Sequence, residues 1–531
     1  MNPPDASTFA AGRDGAADRA AEHAAVDRAL AYVRDWLPYR YPRADVPGYA
    51  VAVAHRGAVL LEQACGWADL EAREPLRTDH VFRVASHSKT FTAAAVLRLV
   101  EQGRLGLDDR VADHLDWVSG HRDPRMGLVT VRQLLSHGAG IIRDGVDADF
   151  WQLRRPFPDG PALRAEILGA DLVTDTNLAL KYSNFGYGLL GQLIEAVAGE
   201  TYGDHVRRAL IEPLGLASTG PEPDSRTGLP MAVGYGRPDA EGTRQPLPAV
   251  DTGALAPATG FYATAADLAR WFSALCLLGG TFEDPPADPL ADPPADAGAA
   301  GQGRPVRRPG QAKAGALARQ LLGDEAKKEM RRPHWRAERP GQPDAGDEHY
   351  GLGLMLDRVA NRAVIGHSGG FPGFITRSFA DPSTGLVVVA LTNAIDGPAT
   401  QIAKGILGVL DTFLTKGGRP ERSRLRLEGR YAGLWGVLDV VATEDGLLVG
   451  SGDSWEPLAG PERLAPMGPG GRTFRIAEAS SSSSPGETVT FLPARGPVQS
   501  VRYAGTTAWP EEVWRTEGPE RLLAPPSPPR R

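Results

Sequence analysis

The chain has 531 residues, with 58 Lys+Arg against 65 Asp+Glu and a formal net charge of −7. Its length predicts roughly two to four domains, and its mild acidity excludes a nucleic-acid-coating protein, which carries a basic footprint. Two cysteines, Cys65 and Cys276, exclude a disulfide scaffold or a thiolate zinc site and read as small buried hydrophobes.

Residues 1–20 read as an unstructured leader. Residues 1–35 are Ala-rich and charged throughout, without the apolar core of a secretory signal, so the expected location is the cytoplasm. No uncharged apolar stretch of membrane-spanning length occurs, so no membrane partner is expected. Apolar periodicity predicts a helix from Ala21 to Trp36. Tyr49 to Ala54 and Ala58 to Gln63 read as a hairpin around His55-Arg56-Gly57. Residues 86–102, SHSKTFTAAAVLRLVEQ, form the clearest helix, apolar on most faces and therefore central, with Gly103 as its stop. Thr130 is placed to cap another, and Gly186 to Ala198 and Thr264 to Leu278 are two more.

Residues 283–312 are Pro/Ala/Asp low complexity with a repeated DPPAD, read as a disordered insertion within a domain. Strand-like runs follow at Tyr350 to Met355, Ala363 to Ile365, Phe374 to Thr376 and Leu386 to Leu391. Residues 417–424 read as a linker. Short strand candidates over 425–515 (Tyr431 to Val441, Leu447 to Val449, Thr473 to Ile476, Thr488 to Leu492, Val498 to Tyr503) predict a small all-β domain, with 516–531 as a disordered tail. The first domain then spans 21–416.

Three short motifs carry chemistry. Ser86-His87-Ser88-Lys89 is an S-x-x-K at the start of the buried helix. Positions i and i+3 share a helix face, so Lys89 Nζ can approach Ser86 Oγ. An apolar, positive helix N-terminus lowers the Lys pKa and lets the amine act as a base. The chain holds 51 Arg and only 7 Lys, so a Lys stands out, because of the two only Lys readily loses its proton when buried. With 22 Ser, chance still supplies about 0.3 such motifs. Tyr182-Ser183-Asn184 precedes a helix. A Tyr near two cations can serve as general base or acid, while the plainer reading is a core Tyr and an Asn cap. His367-Ser368-Gly369-Gly370 follows a strand-like run, and H-x-G alone says nothing, since His55-Arg56-Gly57 matches too.

Taken together and in this order, these residues resemble the serine β-lactamase and penicillin-binding-protein superfamily, in its class C-like branch of D-amino-acid peptidases, esterases and acyltransferases. FRVASHSKTFTA, LGLDDRVADHL, TVRQLLSHGAGI, IEPLGLAST, GFYATAADLARW and GHSGGFPGF carry the likeness from Pro47 to Thr400. The C-terminal β region resembles the lipocalin-like domain appended to some members. The resemblance implies an α+β, β-lactamase/transpeptidase-like fold, an antiparallel sheet flanked by helices plus a helical region, followed by a small C-terminal barrel. It implies Ser86 as the acylated nucleophile, Lys89 as its base and Tyr182 as the proton shuttle. Asn184, His367, Ser368, Gly369 and Gly370 would bind substrate, with the backbone N–H groups of Ser86 and Gly370 as the oxyanion hole.

His367 stands where true β-lactamases carry the Lys of K-T-G. A His holds a substrate carboxylate only when protonated, so weak penicillin hydrolysis and a dependence on His367 protonation are expected. Gly366-His367-Ser368-Gly369-Gly370 also matches the G-x-S-x-G elbow of α/β-hydrolases, but Phe371-Pro372-Gly373 replaces the required helix and no later His completes the triad order. His87 points off the Ser/Lys face, and His137 reads as a core or loop hydrogen-bonder. The expected function is a serine hydrolase cleaving amide or ester bonds of peptides, with D-residues among them, or of small esters. Its partners would be small molecules or peptides, with no nucleic acid, cofactor or metal. Alternatives are an acyltransferase using the same acyl-enzyme, or a non-catalytic binding protein that keeps the fold.

Overall fold

The computed structural model describes residues 14–223, 228–278, 321–337, 348–468, 471–478 and 484–523. The expected insertion at 283–312 lies outside them, as do 1–13 of the leader and 524–531 of the tail. The chain divides into two compact units: Ala44–Ala403, and the residues up to Arg43 together with those from Lys404 onward. Composition places this boundary at 417–424 instead. Where a linker was expected, Arg422–Leu425 forms a helical turn, and Glu511–Glu517 and Pro519–Leu522 carry helix into the expected tail.

In the larger unit, β1 (Gly48–His55) and β2 (Ala58–Asp69) make the predicted hairpin, turned by Arg56 and Gly57 at positive φ. Seven more strands complete a nine-stranded sheet: β3 (Glu74–Pro75), β4 (Trp335–Arg336), β5 (His349–Tyr350), β6 (Met355–Val359), β7 (Arg362–Phe371), β8 (Phe374–Ala380) and β9 (Leu386–Thr392). The order is β3-β2-β1-β9-β8-β7-β6-β5-β4, antiparallel throughout. The run Tyr350 to Met355, read as one strand, breaks into β5 and β6. Gly353, at φ +71°, turns the chain where an added Cβ would lie 2.9 Å from Lys89 O.

Helix α1 (Asp14–Arg40) belongs to the other unit. Within the larger unit, α2 (Ser88–Glu101) is buried along nearly its whole length, as its sequence predicts. Its Phe91 stacks between Trp271 of α4 (Ala265–Cys276), at 3.9 Å, and Phe261, at 4.4 Å. Trp271 Nε1 donates to Thr90 Oγ1 at 2.8 Å. Each aromatic pair contributes about 1 kcal/mol beyond its buried area, so α2 is held firmly in the core. Helix α3 (Asn184–Ala198) starts two residues before the predicted Gly186, because Ser183, not Asn184, is the cap: its hydroxyl accepts the Gly186 N–H at 2.9 Å. Thr130 caps Val131–Leu135 in a capping box with Gln133, and Cys65 and Cys276 are buried free thiols.

In the smaller unit, eight strands between Gly429 and Pro510 close into an antiparallel barrel. The expected strand Tyr431 to Val441 is two strands, Gly429–Gly433 and Gly436–Ala442, because the chain turns at Leu434-Trp435 between glycines. Tyr431, Phe474, Phe491 and aliphatic neighbours fill the interior. Helix α1 begins at Asp14, seven residues earlier than the periodicity predicts, in an Ala-rich stretch of high helix propensity. It docks on the barrel: Tyr32 donates to Asp439, which also pairs with Arg430, and Trp36 Nε1 donates to Gly452 O at 3.1 Å. Among the described residues no helix is long and apolar enough to cross a membrane.

Trp36 is fully buried and packs against Gly405. Trp36→Ala should cost this unit about 3–5 kcal/mol, seen as a lower urea midpoint for the barrel transition. An unchanged midpoint would show that α1 contributes nothing to the unit.

Candidate active site

Ser86 sits in a 3-10 turn, Ala85–His87, that leads into α2. It is only partly buried, while every other residue from Val81 to Thr90 is buried. Ala85 precedes it at φ +51°, a left-handed conformation that a non-glycine residue adopts at a cost of about 1 kcal/mol or more. The turn is tied down on both sides. Ser88 Oγ donates to Ala85 O at 2.6 Å and accepts the Phe261 N–H at 3.0 Å. His87, directed away from Lys89, bonds Val84 O and Ser378 Oγ at 3.0 Å each and so fastens the turn to β8. Burial pushes the His87 pKa down to about 3, so this tie is a neutral imidazole.

Lys89 is completely buried. Its Nζ lies 2.7 Å from Asn184 Oδ1, 2.8 Å from Ala258 O and 3.2 Å from Ser86 Oγ. The first two are carbonyl oxygens, which only accept. They take two N–H bonds, and the remaining tetrahedral direction of the nitrogen faces the serine. Burial holds the Lys89 pKa well below its ordinary value, opposed by the Asp144 charge and reinforced by Arg143. In the neutral amine that remaining direction is the lone pair.

The orientation of Asn184 is itself fixed. Its Nδ2 donates to Asp144 Oδ1 at 2.7 Å. A carboxylate can only accept, so the amide NH₂ faces Asp144 and the oxygen faces Lys89. Asp144 is buried and paired with Arg143 at 2.9 Å. Neither residue carries a motif, so sequence reasoning had no signal for them; their role exists only once α3 meets the 141–145 loop.

Lys89 Nζ lies 4.8 Å from the Tyr182 ring centre, and the Ser86 side chain beside the phenol acts to lower its pKa, against the larger effect of burial. Burial raises its pKa, so the resting group is the phenol rather than a phenolate. As a phenol its O–H is a donor.

The four residues Ser86, Lys89, Tyr182 and Asn184 come together. Strand β7 completes the wall. At Gly369 an added Cβ would stand 2.3 Å from Val84 O and 2.4 Å from Thr376 Oγ1, so only glycine lets β7 pass this close to the Ser86 turn. The side chains of β7 alternate. Ser368 turns to the other side, toward Met355 Sδ at 3.5 Å, and His367 is 2% exposed. His367 Nδ1 donates to Ser368 O at 2.6 Å, and Nε2 accepts from the Tyr350 hydroxyl at 3.1 Å. Burial, the neighbouring His87 and Lys89 hold its pKa well below the usual value. This shift favours the neutral imidazole and runs against the expected dependence on a protonated His367. Tyr350, its partner, heads a strand-like run in which nothing marks it as a site residue.

A cavity of 570 Å³ has Arg83 and Phe371 in its wall, three residues before Ser86 and one after Gly370; Val81, Met231, Leu247 and Phe374 make it largely apolar. Neither Ser86 nor Lys89 lines it. Among the described residues, no three His, Cys, Asp or Glu side chains are grouped to hold a metal ion.

The chain is similar in sequence or in fold to known proteins. "Penicillin-binding protein 4*" of Bacillus subtilis (strain 168) is 32% identical over 175 residues, 32% of this chain and 37% of its own length. The chain spans less than two fifths of the length of the curated relatives it matches. The octameric penicillin-binding protein homologue from Pyrococcus abyssi superposes with a TM-score of 0.57 at 21% identity, over 89% of this chain and 97% of that one. The D-amino acid amidase from Ochrobactrum anthropi SV3, complexed with L-phenylalanine, gives 0.53 at 21% identity, over 73% and 97%. These two likenesses are of fold. The Beta-lactamase family model matches residues 21–408, and with it the antiparallel sheet, its flanking helices and the S-x-x-K turn find one explanation: the chain belongs to the beta-lactamase family.

Proposed function

We propose that the chain is a serine hydrolase that forms an acyl-enzyme on Ser86 and cleaves amide or ester bonds of peptides or small molecules. The observation that carries this reading is the Lys89 amine, fully buried, with two N–H bonds committed to carbonyl oxygens and its third direction on Ser86 Oγ. An ordinary structural lysine would keep its charge in water or meet a carboxylate.

In this reading Ser86 Oγ attacks the substrate carbonyl carbon as its proton passes to Lys89 Nζ. The carbonyl oxygen, now an oxyanion, lies between the N–H groups of Ser86 and Gly370; removing one such donor typically costs about 3 kcal/mol. The tetrahedral intermediate expels the amine or alcohol, which takes the Tyr182 proton, and Lys89 returns a proton to the phenol. Water then repeats the sequence on the acyl-enzyme, releasing the acid and free Ser86.

The neutral His367 supplies no cation for a substrate carboxylate, which supports amides and esters of uncharged acyl groups over penicillins. The apolar cavity beside Phe371 supports a hydrophobic group on the substrate. The relative named as a D-amino acid amidase makes small D-amino acid amides the first compounds to screen.

A fluorophosphonate probe should label Ser86, and p-nitrophenyl esters should show a burst followed by turnover. Ser86→Ala should abolish both. Lys89→Arg, whose side chain stays charged, should lower the acylation rate about 10³-fold, and Tyr182→Phe about 10²-fold. Label or turnover that survives Ser86→Ala would overturn the reading. Added amines or alcohols that divert the acyl group into transfer products would assign the same acyl-enzyme to acyl transfer.

The pH profile gives an independent check. The Asp144 charge favours the Lys89 ammonium. Removing it in Asp144→Asn lets the amine lose its proton at lower pH. The acid limb, where activity falls as Lys89 is protonated, should move down by about one pH unit. A limb that stays in place or moves up would show that Lys89 is not the base.

A further inference from the structure

His137 lies behind Tyr182, and its surroundings are unusual for a core histidine. It follows the short helix Val131–Leu135, is 1% exposed, and has φ +62°. Three tyrosine rings box its imidazole: Tyr182 at 4.2 Å, Tyr350 at 4.8 Å and Tyr187 at 5.1 Å between ring centres.

Both neighbours of Tyr182 are bonded to this one residue. The Lys181 N–H donates to His137 O at 2.8 Å, and the Ser183 N–H donates to His137 Nδ1 at 3.2 Å. Tyr182 is thus gripped by its backbone on either side while its ring rests on the imidazole. An acceptor role for Nδ1 puts the proton of the neutral ring on Nε2. That atom is buried and has no hydrogen-bond partner among the described residues. A leucine or phenylalanine would fill the box without stranding a donor, so packing alone does not account for histidine. What histidine adds is the Nδ1 acceptor.

We propose that His137 is a positioning residue for Tyr182, setting the phenol at the distance from Ser86 that proton transfer requires. The proposal rests on the hydrolase reading above. His137 touches neither Ser86 nor the reacting carbonyl in this account; its whole effect on rate passes through Tyr182.

A double-mutant cycle tests it. Asn and Gly both accept a left-handed backbone, so His137→Asn and His137→Gly leave the main chain unstrained. Each is made in the full chain and in the Tyr182→Phe background, and rates on a p-nitrophenyl ester are normalised to the fluorophosphonate-reactive fraction. That normalisation reads a partly folded sample correctly.

With Tyr182 present, His137→Gly should lower kcat about tenfold or more with KM changed less than twofold. His137→Asn, whose Oδ1 can take the Ser183 N–H, should recover part of the loss. In the Tyr182→Phe background both substitutions should cost less than twofold, since the group they position is gone. Equal losses in the two backgrounds would overturn the proposal and mark His137 as general packing. So would no loss with Tyr182 present. If Tyr182→Phe by itself leaves the rate unchanged, the assignment of Tyr182 falls and this proposal with it. That result is distinct from a strong Tyr182→Phe effect that simply multiplies with His137.

Discussion

The burial of one amine organises this site. Moving an ammonium out of water costs several kcal/mol even after relaxation, and among the described residues Lys89 meets no direct carboxylate partner to offset that cost. It finds two carbonyl oxygens and a serine hydroxyl instead. Burial favours the neutral amine, whose hydrogen-bonding capacity those three groups match. The surrounding architecture serves this placement. α2 runs through the core so that its first turn lies beneath the surface. The turn Ala256–Gly260 brings the Ala258 carbonyl, and the first residue of α3 brings the Asn184 amide, which Asp144 orients from behind.

The rest of the site is also kept uncharged. His87 is a neutral tie between the Ser86 turn and β8; His367 is a neutral acceptor for Tyr350; Tyr182 remains a phenol. Asp144 and Arg143, whose charges act on Lys89, pair with each other. In the proposed reaction, the charge that develops at the serine would meet fixed dipoles. The absence of a cation at His367 separates this strand chemically from one carrying lysine at that position, and bears directly on the substrates it can hold.

Much of this was legible in the sequence, because the signals were local. The mostly apolar α2, the Thr130 cap, the first hairpin and the strands flanking His367 follow from periodicity and capping chemistry. So does the approach of Lys89 to Ser86, since i and i+3 share a helix face. What was not legible depends on tertiary placement. Asp144 and His137 act on residues some 40 positions away through contacts that no spacing rule describes. The charge state of His367 depends on how deeply β7 is buried. The grouping of α1 with the barrel depends on Tyr32 and Trp36 meeting residues more than 400 positions later, and α1 alone reads as an ordinary Ala-rich helix.

The most direct test is the proton affinity of Lys89. The chain has seven lysines, so protein labelled with ¹³C at lysine Cε gives a spectrum simple enough to titrate. The account predicts one resonance that titrates well below the ordinary lysine range, disappears in Lys89→Arg, and shares its midpoint with the acid limb of Ser86 acylation. If Lys89 titrates with the other lysines near pH 10 while Ser86 still acylates at neutral pH, the neutral-amine account is contradicted and the base must be sought elsewhere.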